Sequence, residues 1–413
     1  MKENSNKLLF GIFIGVILGG IFGAFFGPQA VTLKIFGDLF LNALKMLVVP
    51  LVFVSLVVGV TNIGNISQFG KEGAWTIFFY MLTTGIAVIT GMILVNIIQP
   101  GVGMDLSTAL TPDKVSGTDY SFIKVLEGII PANLFKSMVE MDILPIIFFA
   151  LFFGICLSQL EAKGKVVVDF FNQANEVILK MVGYILLTAP VGVFALVAAR
   201  LGAAGGAHFF TNELPRVGKY SLTVILGLGI HGAITLPILL WAVSGRNPFT
   251  YIKNVLEALL TAFSTASSSA TLPVTMDAVE VKNKISPKIS GFVLPLGATI
   301  NMDGTALYEA VAAMFIAQAY GIHLSASAQV IIFLTATLAA IGAAGIPQAG
   351  LVTMVIVLKS VGLPLEGIGM LLAVDWFLDR CRTTVNVFGD TVVAAMVDKR
   401  IDGKASFWQW LRS

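Results

Sequence analysis

Long apolar stretches separated by short polar turns run along most of the chain. Each is close to, or longer than, the roughly 20 residues that a helix needs to cross a hydrocarbon core of about 30 Å. The first part of the chain therefore predicts membrane-spanning helices at residues 8–27, 36–61, 74–99, 141–160, 177–200 and 218–244. The first stretch lacks a signal-peptide cleavage site, so we expect it to remain as the first span. We interpret the mixed residues 118–140 as an extension of the fourth span.

The last part of the chain is also apolar, but small or polar residues interrupt every stretch. The interruptions are SSS, NMDGT, GAAGIPQAG and the polar run of AVDWFLDRCRTTVNVFGD, within residues 249–281, 289–320, 325–358 and 366–397 respectively. Lys and Arg gather at alternate turns, and the positive-inside rule places those turns and both termini in the cytoplasm. This alternation requires residues 249–281 and 325–358 to enter and leave on one side. Each is therefore predicted to be a re-entrant helical hairpin.

Two interrupted segments, each followed by a longer polar-interrupted helix, indicate an inverted repeat. In transporters, such broken helices mark the binding site near the middle of the bilayer. The alternative is ordinary loops between short helices, but loops at that depth would need water or protein around them. We predict an all-α polytopic membrane protein with eight transmembrane helices and two re-entrant hairpins.

Composition supports the membrane class and excludes others. Of 413 residues, 56% are hydrophobic and 12% charged, with a mean hydropathy of +0.89, whereas a soluble domain carries about 25% charged residues. The net charge of +2 gives no reason to expect a nucleic-acid partner. The two cysteines show no metal or redox spacing. His208, His231 and His323 lie far apart and are expected to be surface or packing residues. Without HExxH, GxSxG or P-loop patterns, we do not expect an enzyme.

The polar run near the carboxy terminus forms one stripe when it is placed on a helix. At 100° per residue, the stripe lies within about 60° of Asp379, and Arg380 lies at its edge. Its other members are Asp375, Arg382, Thr383, Asn386 and Asp390. A charge at mid-bilayer costs about 2.5–3.5 kcal/mol even on lenient scales, so the stripe must face protein or a water-filled site. The alternative is a buried Asp379–Arg382 ion pair that only fixes helix packing.

Two other motifs interrupt apolar segments with groups that bind ions. Asn301 and Asp303, next to Gly304, disrupt a helix and free backbone carbonyls. Carboxylate, amide and carbonyl oxygens together suit a hard cation such as Na⁺. The serines 267–269, at the centre of the first hairpin, present hydroxyls and unpaired amide N–H groups that suit a carboxylate.

These motifs together resemble the glutamate/neutral amino acid transporter family, the dicarboxylate–amino acid:cation symporters. The resemblance covers essentially the whole chain and includes KMLVVPLVFVSLVVG, APVGVFAL, SSSATLPVTM, LPLGATINMDGTALYEA and GAAGIPQAGLVTMVIVLKSVGLPLE. It implies a homotrimer in membrane lipid, in which a transport domain moves as an elevator against a scaffold. The implied units are scaffold spans 1–2 at 1–70, span 3 of the transport domain at 71–100, scaffold spans 4–5 at 101–205, span 6 of the transport domain at 206–247, and a transport core at 248–413.

The resemblance also implies roles for individual residues. Asp379 would hold the substrate's α-amino group, and Arg382 its side-chain carboxylate, because a guanidinium is a planar fork matched to a carboxylate. The implied pocket is completed by Ser267, Ser268, Thr305, Ile346, Gly350, Thr383 and Asn386. The implied sodium sites are one near Gly297, Asn301, Asn386 and Asp390, one near Met302, Ala340, Ile341 and Ala343, and one near Tyr80, Thr83, Thr84, Asn301 and Asp303. Ala340 and Ala343 stand where other members carry hydroxyls, so backbone carbonyls would bind the ion there.

Two positions distinguish the chain from archaeal aspartate transporters of the family. Those proteins place an arginine before the serines, where this chain has Ala266, and this chain instead has Arg380. Lack of an arginine at position 266 together with an arginine at position 380 is the pattern of the excitatory amino acid transporters. Glu309 matches the glutamate that those transporters are thought to protonate, and burial disfavours the charged form of a carboxyl group. The resemblance therefore implies proton coupling through Glu309 and Arg380, and leaves potassium return open.

Arg382 and Asp379 together favour an acidic amino acid as the substrate. We predict sodium-driven uptake of L-glutamate or L-aspartate across the cell membrane, with no cofactor. Na⁺ is the co-transported ion, and H⁺ and K⁺ remain open. A neutral amino acid carrier, a C4-dicarboxylate carrier of the same family and an anion channel are the alternatives.

Overall fold

The computed structural model describes residues 2–64, 71–104, 130–140, 143–204, 214–342 and 349–402. These residues are mostly helical and contain no strand. The helices of the first half are α1 Lys2–Phe26, α2 Lys34–Gly64, α3 Lys71–Ile98, α4 Leu134–Glu140, α5 Ile143–Ser158, α6 Lys165–Leu187 and α7 Ala189–Ala204. The helices of the second half are α8 Leu214–Ile230, α9 Leu236–Ser244, α10 Pro248–Thr265, α11 Ser268–Asp277, α12 Pro287–Ile300, α13 Asp303–Ala319, α14 Ala326–Gly342, α15 Ala349–Ser360 and α16 Ile368–Asp402.

Helices α1, α2, α5, α6 and α7 pack against one another and form the first of two groups. The contact between α1 and α7 is close, because glycines of α1 lie against the backbone of α7. A Cβ atom on Gly15 would come within 2.5 Å of the Pro190 carbonyl oxygen, and one on Gly19 within 2.6 Å of that of Phe194. Glycine at these positions lets the two backbones approach, as in other membrane helix pairs.

The predicted fifth span at residues 177–200 is wrong as a single helix. The chain bends by 50° between α6 and α7, and Thr188 closes α6 by donating its N–H to carbonyls of the last turn. Pro190 has no N–H to donate to a continuing helix, but it is well tolerated in the first turn of a new one. Of the predicted extension at 118–140, residues 134–140 form α4, and 118–129 lie outside the described residues.

Helix α3 and helices α8 to α16 form the second group, with α16 packed against most of the others. The first interrupted segment is a pair of packed helices, α10 and α11. Asn247 caps α10 by accepting from Phe249 N and Thr250 N, and Ala266 ends it in the left-handed conformation with φ 50°. Ser267 then caps α11 by accepting from Ala270 N at 3.2 Å. These helix caps explain why the apolar stretch is broken between α10 and α11.

The NMDGT motif interrupts its segment as predicted. Helix α12 ends at Ile300 and α13 begins at Asp303, so Asn301 and Met302 are non-helical. Both residues are buried. Helices α14 and α15 flank the tip of the second interrupted segment, whose residues 343–348 lie outside the described residues. By contrast, the polar run of the last segment does not break its helix, because α16 continues through it for 35 residues.

Among the described residues, three helical stretches are long and apolar enough to cross a membrane: Phe10–Thr61, Lys71–Ile98 and Leu214–Ser244. The bent pair of α6 and α7 counts as a fourth. Helices α11, α12 and α15 have 10, 14 and 12 residues, which is too few to span a bilayer alone. The protein is therefore a multi-pass helical membrane protein, and the full count of eight spans and two hairpins stays a prediction.

The two groups meet along a seam that is only partly packed. Helices α2, α5 and α7 of the first group contact α14, α15 and α16 of the second. Near one end of the seam lies an apolar cavity of about 490 Å³. Its walls come from both groups and include Val16, Leu196, Val217 and Met370. We call this the seam cavity.

Candidate functional site

A polar cluster lies inside the second group, where α16 passes the break between α12 and α13. Ordinary membrane helices bury few charged groups because each costs several kcal/mol. Here the charged side chains of Asp303, Glu309, Asp375, Arg382 and Asp390 are all less than 4% exposed. The predicted stripe therefore faces protein, as expected.

Arg382 is a fully buried cation held between two carboxylates of its own helix. Its Nη2 donates to Asp379 Oδ1 at 2.8 Å and to Asp375 Oδ1 at 3.0 Å. The guanidinium carbon lies 3.9 Å from the centre of the Tyr308 ring, in the range of a cation–π contact. The ion pair of the packing alternative is thus present. However, Arg382 Nε and Nη1 have no hydrogen-bond partner among the described residues, so part of the fork remains able to bind an anion.

The unused edge of Arg382 faces the second interrupted segment. A Cβ atom on Gly350 would lie 2.6 Å from Arg382 Nη1 and 3.4 Å from Thr305 Cγ2. Gly350, Thr305 and Arg382 therefore lie close together around one small space. Any larger residue than glycine at position 350 would fill it.

Asn386 links the stripe to the start of α13. Its Oδ1 accepts from Gly304 N at 2.7 Å, and its Nδ2 donates to Thr305 Oγ1 at 3.3 Å. Thr383 is buried one turn earlier, and its hydroxyl donates to Asp379 O. The amide of Asn386 therefore fixes the first turn of α13 against α16, next to Arg382.

Asp303 accepts hydrogen bonds from two other elements. Thr84 Oγ1 and Thr83 Oγ1, on α3, donate to Asp303 Oδ1 at 2.7 and 3.2 Å. His231 Nε2 lies 3.1 Å from Asp303 Oδ2 and belongs to a π-helical turn, His231–Thr235, between α8 and α9. His231 is buried, as a packing residue would be, but its contact with Asp303 was not predicted.

A second carboxylate lies close by on α16. Asn301 Nδ2 donates to Asp390 Oδ1 at 2.9 Å, and Asn301 Oδ1 has no partner among the described residues. Tyr80 OH donates to Val293 O at 2.6 Å. A Cβ atom on Gly297 would collide with both Asp390 Oδ1 and Tyr80 OH, so the backbone of α12 reaches these groups directly.

This second cluster is rich in oxygen atoms and poor in cations. Among the described residues, neither Asp303 nor Asp390 forms an ion pair with Lys or Arg. Two buried carboxylates without a Lys or Arg partner are costly unless a cation joins them. Their neighbours are hydroxyl, amide and carbonyl oxygens, the ligands that hard cations prefer. The donor set fits Na⁺.

Glu309 stands apart from both clusters, in the middle of α13. Thr353 Oγ1, on α15, donates to Glu309 Oε1. Glu309 Oε2 is buried and has no hydrogen-bond partner among the described residues. An uncompensated carboxylate in such a place is unfavourable, whereas the neutral acid is not. The side chain is therefore suited to carry a proton.

Arg380 and the serines lie around the first interrupted segment. Arg380 Nη1 donates to Ser264 O at 2.6 Å and to Phe263 O at 2.8 Å, which satisfies carbonyls at the end of α10. Ser267 and Ser268 are buried where α11 begins, and α11 packs against α16. Arg380 thus ties this pair of helices to the stripe.

Some predicted site residues are not brought to these clusters. Ala343 and Ile346 lie outside the described residues. Ala340 is buried in α14, and Ile341 faces α2, where a Cβ atom on Gly59 would lie 3.4 Å from Ile341 Cγ2. Met302 Sδ lies 4.0 Å from Thr305 Oγ1. The predicted second sodium site stays a prediction.

The chain is similar in sequence to known transport proteins. Residues 8–400 match the sodium:dicarboxylate symporter family. The chain is 40% identical to the excitatory amino acid transporter 1 of Ambystoma tigrinum, over 88% of this chain and 76% of that protein. It is 39% identical to an excitatory amino acid transporter of Caenorhabditis elegans, over 90% and 82% of the two chains. It is 38% identical to the human excitatory amino acid transporter 2, over 90% and 74%.

Proposed function

The chain belongs to the sodium:dicarboxylate symporter family, and on this basis we propose that it takes up L-glutamate or L-aspartate with sodium. Its relatives of 38–40% identity are excitatory amino acid transporters. The uptake is secondary active transport, in which no covalent bond changes. The observation that carries the proposal is the buried guanidinium of Arg382, which has unused N–H donors next to Asp379.

The zwitterion of an acidic amino acid matches this pair. The side-chain carboxylate binds the Nε and Nη1 edge of Arg382, since a charge-assisted, two-point contact is strong and directional. The α-amino group binds Asp379, which then shares its charge between Arg382 and the substrate. The α-carboxylate is left for the serines and backbone N–H groups at the start of α11, together with Asn386 and Thr383.

Sodium ions compensate the carboxylates on the other side of the NMDGT break. One ion binds beside Asp303, Thr83, Thr84 and Tyr80, and another beside Asp390, Asn301 and Gly297. The same non-helical residues, 301 and 302, separate both ions from the substrate pocket. Binding of the ions fixes the start of α13 and, through Gly304 and Asn386, the pocket next to it. The start of α13 therefore couples the binding of sodium to the binding of the substrate.

Glu309 carries a proton with the substrate in our proposal, and potassium return stays open. The proposal also includes the cell membrane as location, cytoplasmic termini and a homotrimer. The first helix group is the fixed scaffold, and the second group moves across the membrane with its cargo. The packing of α1, α2, α5, α6 and α7 apart from α3 and α8 to α16 supports this division.

A C4-dicarboxylate carrier is the second candidate, because the family is described by dicarboxylates. Such a substrate has no amino group, so Asp379 would face a carboxylate and repel it. We therefore favour an amino acid. Competition separates the two: succinate or malate in excess should leave aspartate uptake unchanged if the amino acid proposal is correct.

Uptake into proteoliposomes tests the function. Purified protein in liposomes should accumulate labelled aspartate or glutamate only with an inward sodium gradient, and varying sodium, external pH and internal potassium one at a time defines the coupling. Uptake that ignores sodium, or chloride currents without accumulation, would contradict the proposal. For the proton, Glu309→Gln should abolish the dependence of uptake on external pH, and an unchanged pH profile would remove Glu309 from the mechanism.

A further inference from the structure

The fully buried carboxyl of Glu309 needs a route by which a proton can reach it. Among the described residues, its carboxyl accepts a hydrogen bond from the hydroxyl of Thr353, on α15. Tyr308, next in sequence, turns its ring to Arg382 instead. The route therefore has to start from what lies behind Thr353.

Behind Thr353 lies a small cavity at the seam between the two helix groups. It offers about 10 Å³ to the centre of a water molecule, close to the minimum that holds one water. Its walls are mainly apolar, and Thr353 and Ser55 are the lining residues that carry hydroxyl groups. Ser55 is buried on α2, in the first group. A water in this cavity would have a hydroxyl-bearing neighbour on each of the two helix groups, and a buried water needs two or more polar partners.

We propose that Thr353 relays protons to Glu309 from a water held in this cavity between Thr353 and Ser55. This inference rests on the proposed proton coupling at Glu309 and adds the path that supplies it. The proton then enters from the seam between the helix groups, and not through the substrate pocket around Arg382.

The transfer balances without any other reactant. A proton that arrives on the cavity water passes to Thr353 Oγ as Thr353 gives its own hydroxyl proton to the Glu309 carboxylate. The water and the threonine are restored, and Glu309 gains one proton. The reverse sequence discharges Glu309. A hydroxyl suits this step because it can donate and accept at once.

The ionisable surroundings of Glu309 leave this path without a competing base. On α16, Arg382 cannot give up its proton, and the carboxylates of Asp375 and Asp379 are paired with Arg382. Helices α14 and α15 contribute no ionisable residue except Lys359, at the exposed end of α15. On α8, Tyr220 lies against the rings of Tyr308 and Phe315. On α3, Tyr80 is occupied with Val293 O.

Thr353→Val tests the relay, because it removes the hydroxyl and keeps the shape. Two activities are compared in proteoliposomes with a trapped pH dye: net sodium-driven uptake with its proton influx, and exchange of internal for external aspartate. Exchange returns the loaded carrier each time and needs no net proton movement. We expect Thr353→Val to slow net uptake and proton influx on the order of tenfold or more, with exchange retained. Thr353→Ser should restore both net uptake and proton influx.

Thr337→Val is the matched control. Thr337 lies on the neighbouring helix α14, and its hydroxyl donates to Phe333 O of its own helix, so both activities should stay at the level of the unaltered protein. Ser55→Ala should slow net uptake in the same direction as Thr353→Val. Equal loss of net uptake and exchange in Thr353→Val, or no rescue by serine, would overturn the relay. If Glu309→Gln itself leaves the pH profile unchanged, the proton coupling fails first, independently of Thr353.

Discussion

At the scale of single residues, Arg382 is the proposed determinant of which substrates bind. It is a fully buried cation of the polar cluster, and its guanidinium forms ion pairs with Asp375 and Asp379. This internal pairing avoids the cost of a lone buried charge. It also means that a substrate carboxylate adds to, and partly replaces, contacts that already exist, so acidic side chains gain and apolar ones do not.

Arg382→Thr should abolish the uptake of aspartate and glutamate. Loss of one partner of a buried charged contact costs about 2–5 kcal/mol, which corresponds to a fall in affinity of roughly 30-fold to several thousand-fold. The same change opens room beside Gly350 and leaves Asp379 able to bind an amino group. The variant should therefore take up serine or alanine, measured with labelled amino acids. Uptake of serine or alanine would itself show that the variant folds. An unaltered affinity for aspartate would refute the proposed role of Arg382.

His231 is expected to set the affinity for sodium through Asp303. Because its Nε2 holds Oδ2 of Asp303, Oδ1 stays turned towards Thr83 and Thr84. His231→Ala should raise the sodium concentration for half-maximal uptake several-fold. His323→Ala is the control, since His323 is exposed and should leave the sodium curve in place. A changed maximal rate with an unchanged sodium curve would contradict the positioning role.

The sequence alone identified most of the buried polar cluster, because charged residues in apolar segments are conspicuous. Asp375 was placed on the stripe, but its pairing with Arg382 was not predicted. The contacts of His231 with Asp303 and of Thr353 with Glu309 were also missed. His231 lies 72 positions from Asp303, and Thr353 lies 44 positions from Glu309. Neither helical periodicity nor hydropathy indicates contacts between residues so far apart in sequence. A buried histidine in an apolar span was the available signal.

At the scale of helices, the break between α12 and α13 holds the site together. The first turn of α13 lies directly on the backbone of α16, and Gly304 makes this approach possible. A Cβ atom on Gly304 would lie 2.7 Å from Arg382 O and 2.9 Å from Arg382 Cα, distances that require a backbone shift. The contact is short because Gly304 N also donates to Asn386.

Gly304→Ala should therefore impair substrate and sodium binding together. The added methyl group pushes the first turn of α13 away from α16 and breaks the hydrogen bond to Asn386. Binding of labelled aspartate over a range of sodium concentrations measures the effect. Gly291→Ala is the control, because a Cβ atom on Gly291 meets nothing within 4 Å and alanine favours the helix. If both variants bound alike, the close contact would be unimportant.

Helix ends were predictable where polar or small residues mark them, as at Asn247 and at residues 301–304. The bend at Thr188 was missed because hydrophobicity continues across it. Pro190 was the residue that could have indicated the bend, but a proline is equally compatible with a kink in one helix and with the first turn of a new helix. The continuity of α16 was predicted, since a stripe of this period requires one helix.

At the scale of the whole molecule, the two helix groups should move relative to each other during transport. A cross-link between Leu196 on α7 and Gly369 on α16 tests this. A Cβ atom on Gly369 would lie 3.6 Å from Leu196 Cβ, within the range of a disulfide, about 3.5–4.5 Å. With Cys156 and Cys381 first replaced by serine, the double cysteine variant should lose net uptake on oxidation and regain it on reduction.

The reduced double variant is the control for folding, and it should transport like the protein that lacks native cysteines. Each single cysteine variant should not respond to the oxidant. Full net uptake by the oxidised, cross-linked protein would show that the groups need not move, and would contradict the elevator part of the proposal.

The seam cavity bears on how easily such a movement begins. Atoms that line a void have no neighbours across it, so they forfeit dispersion energy that a filled interface would provide. An interface that contains a void has less packing energy to lose when its two sides move past each other. The seam cavity, with walls from α1, α7, α8 and α16, is such a void, and it should lower the energy needed to start the relative movement of the two helix groups.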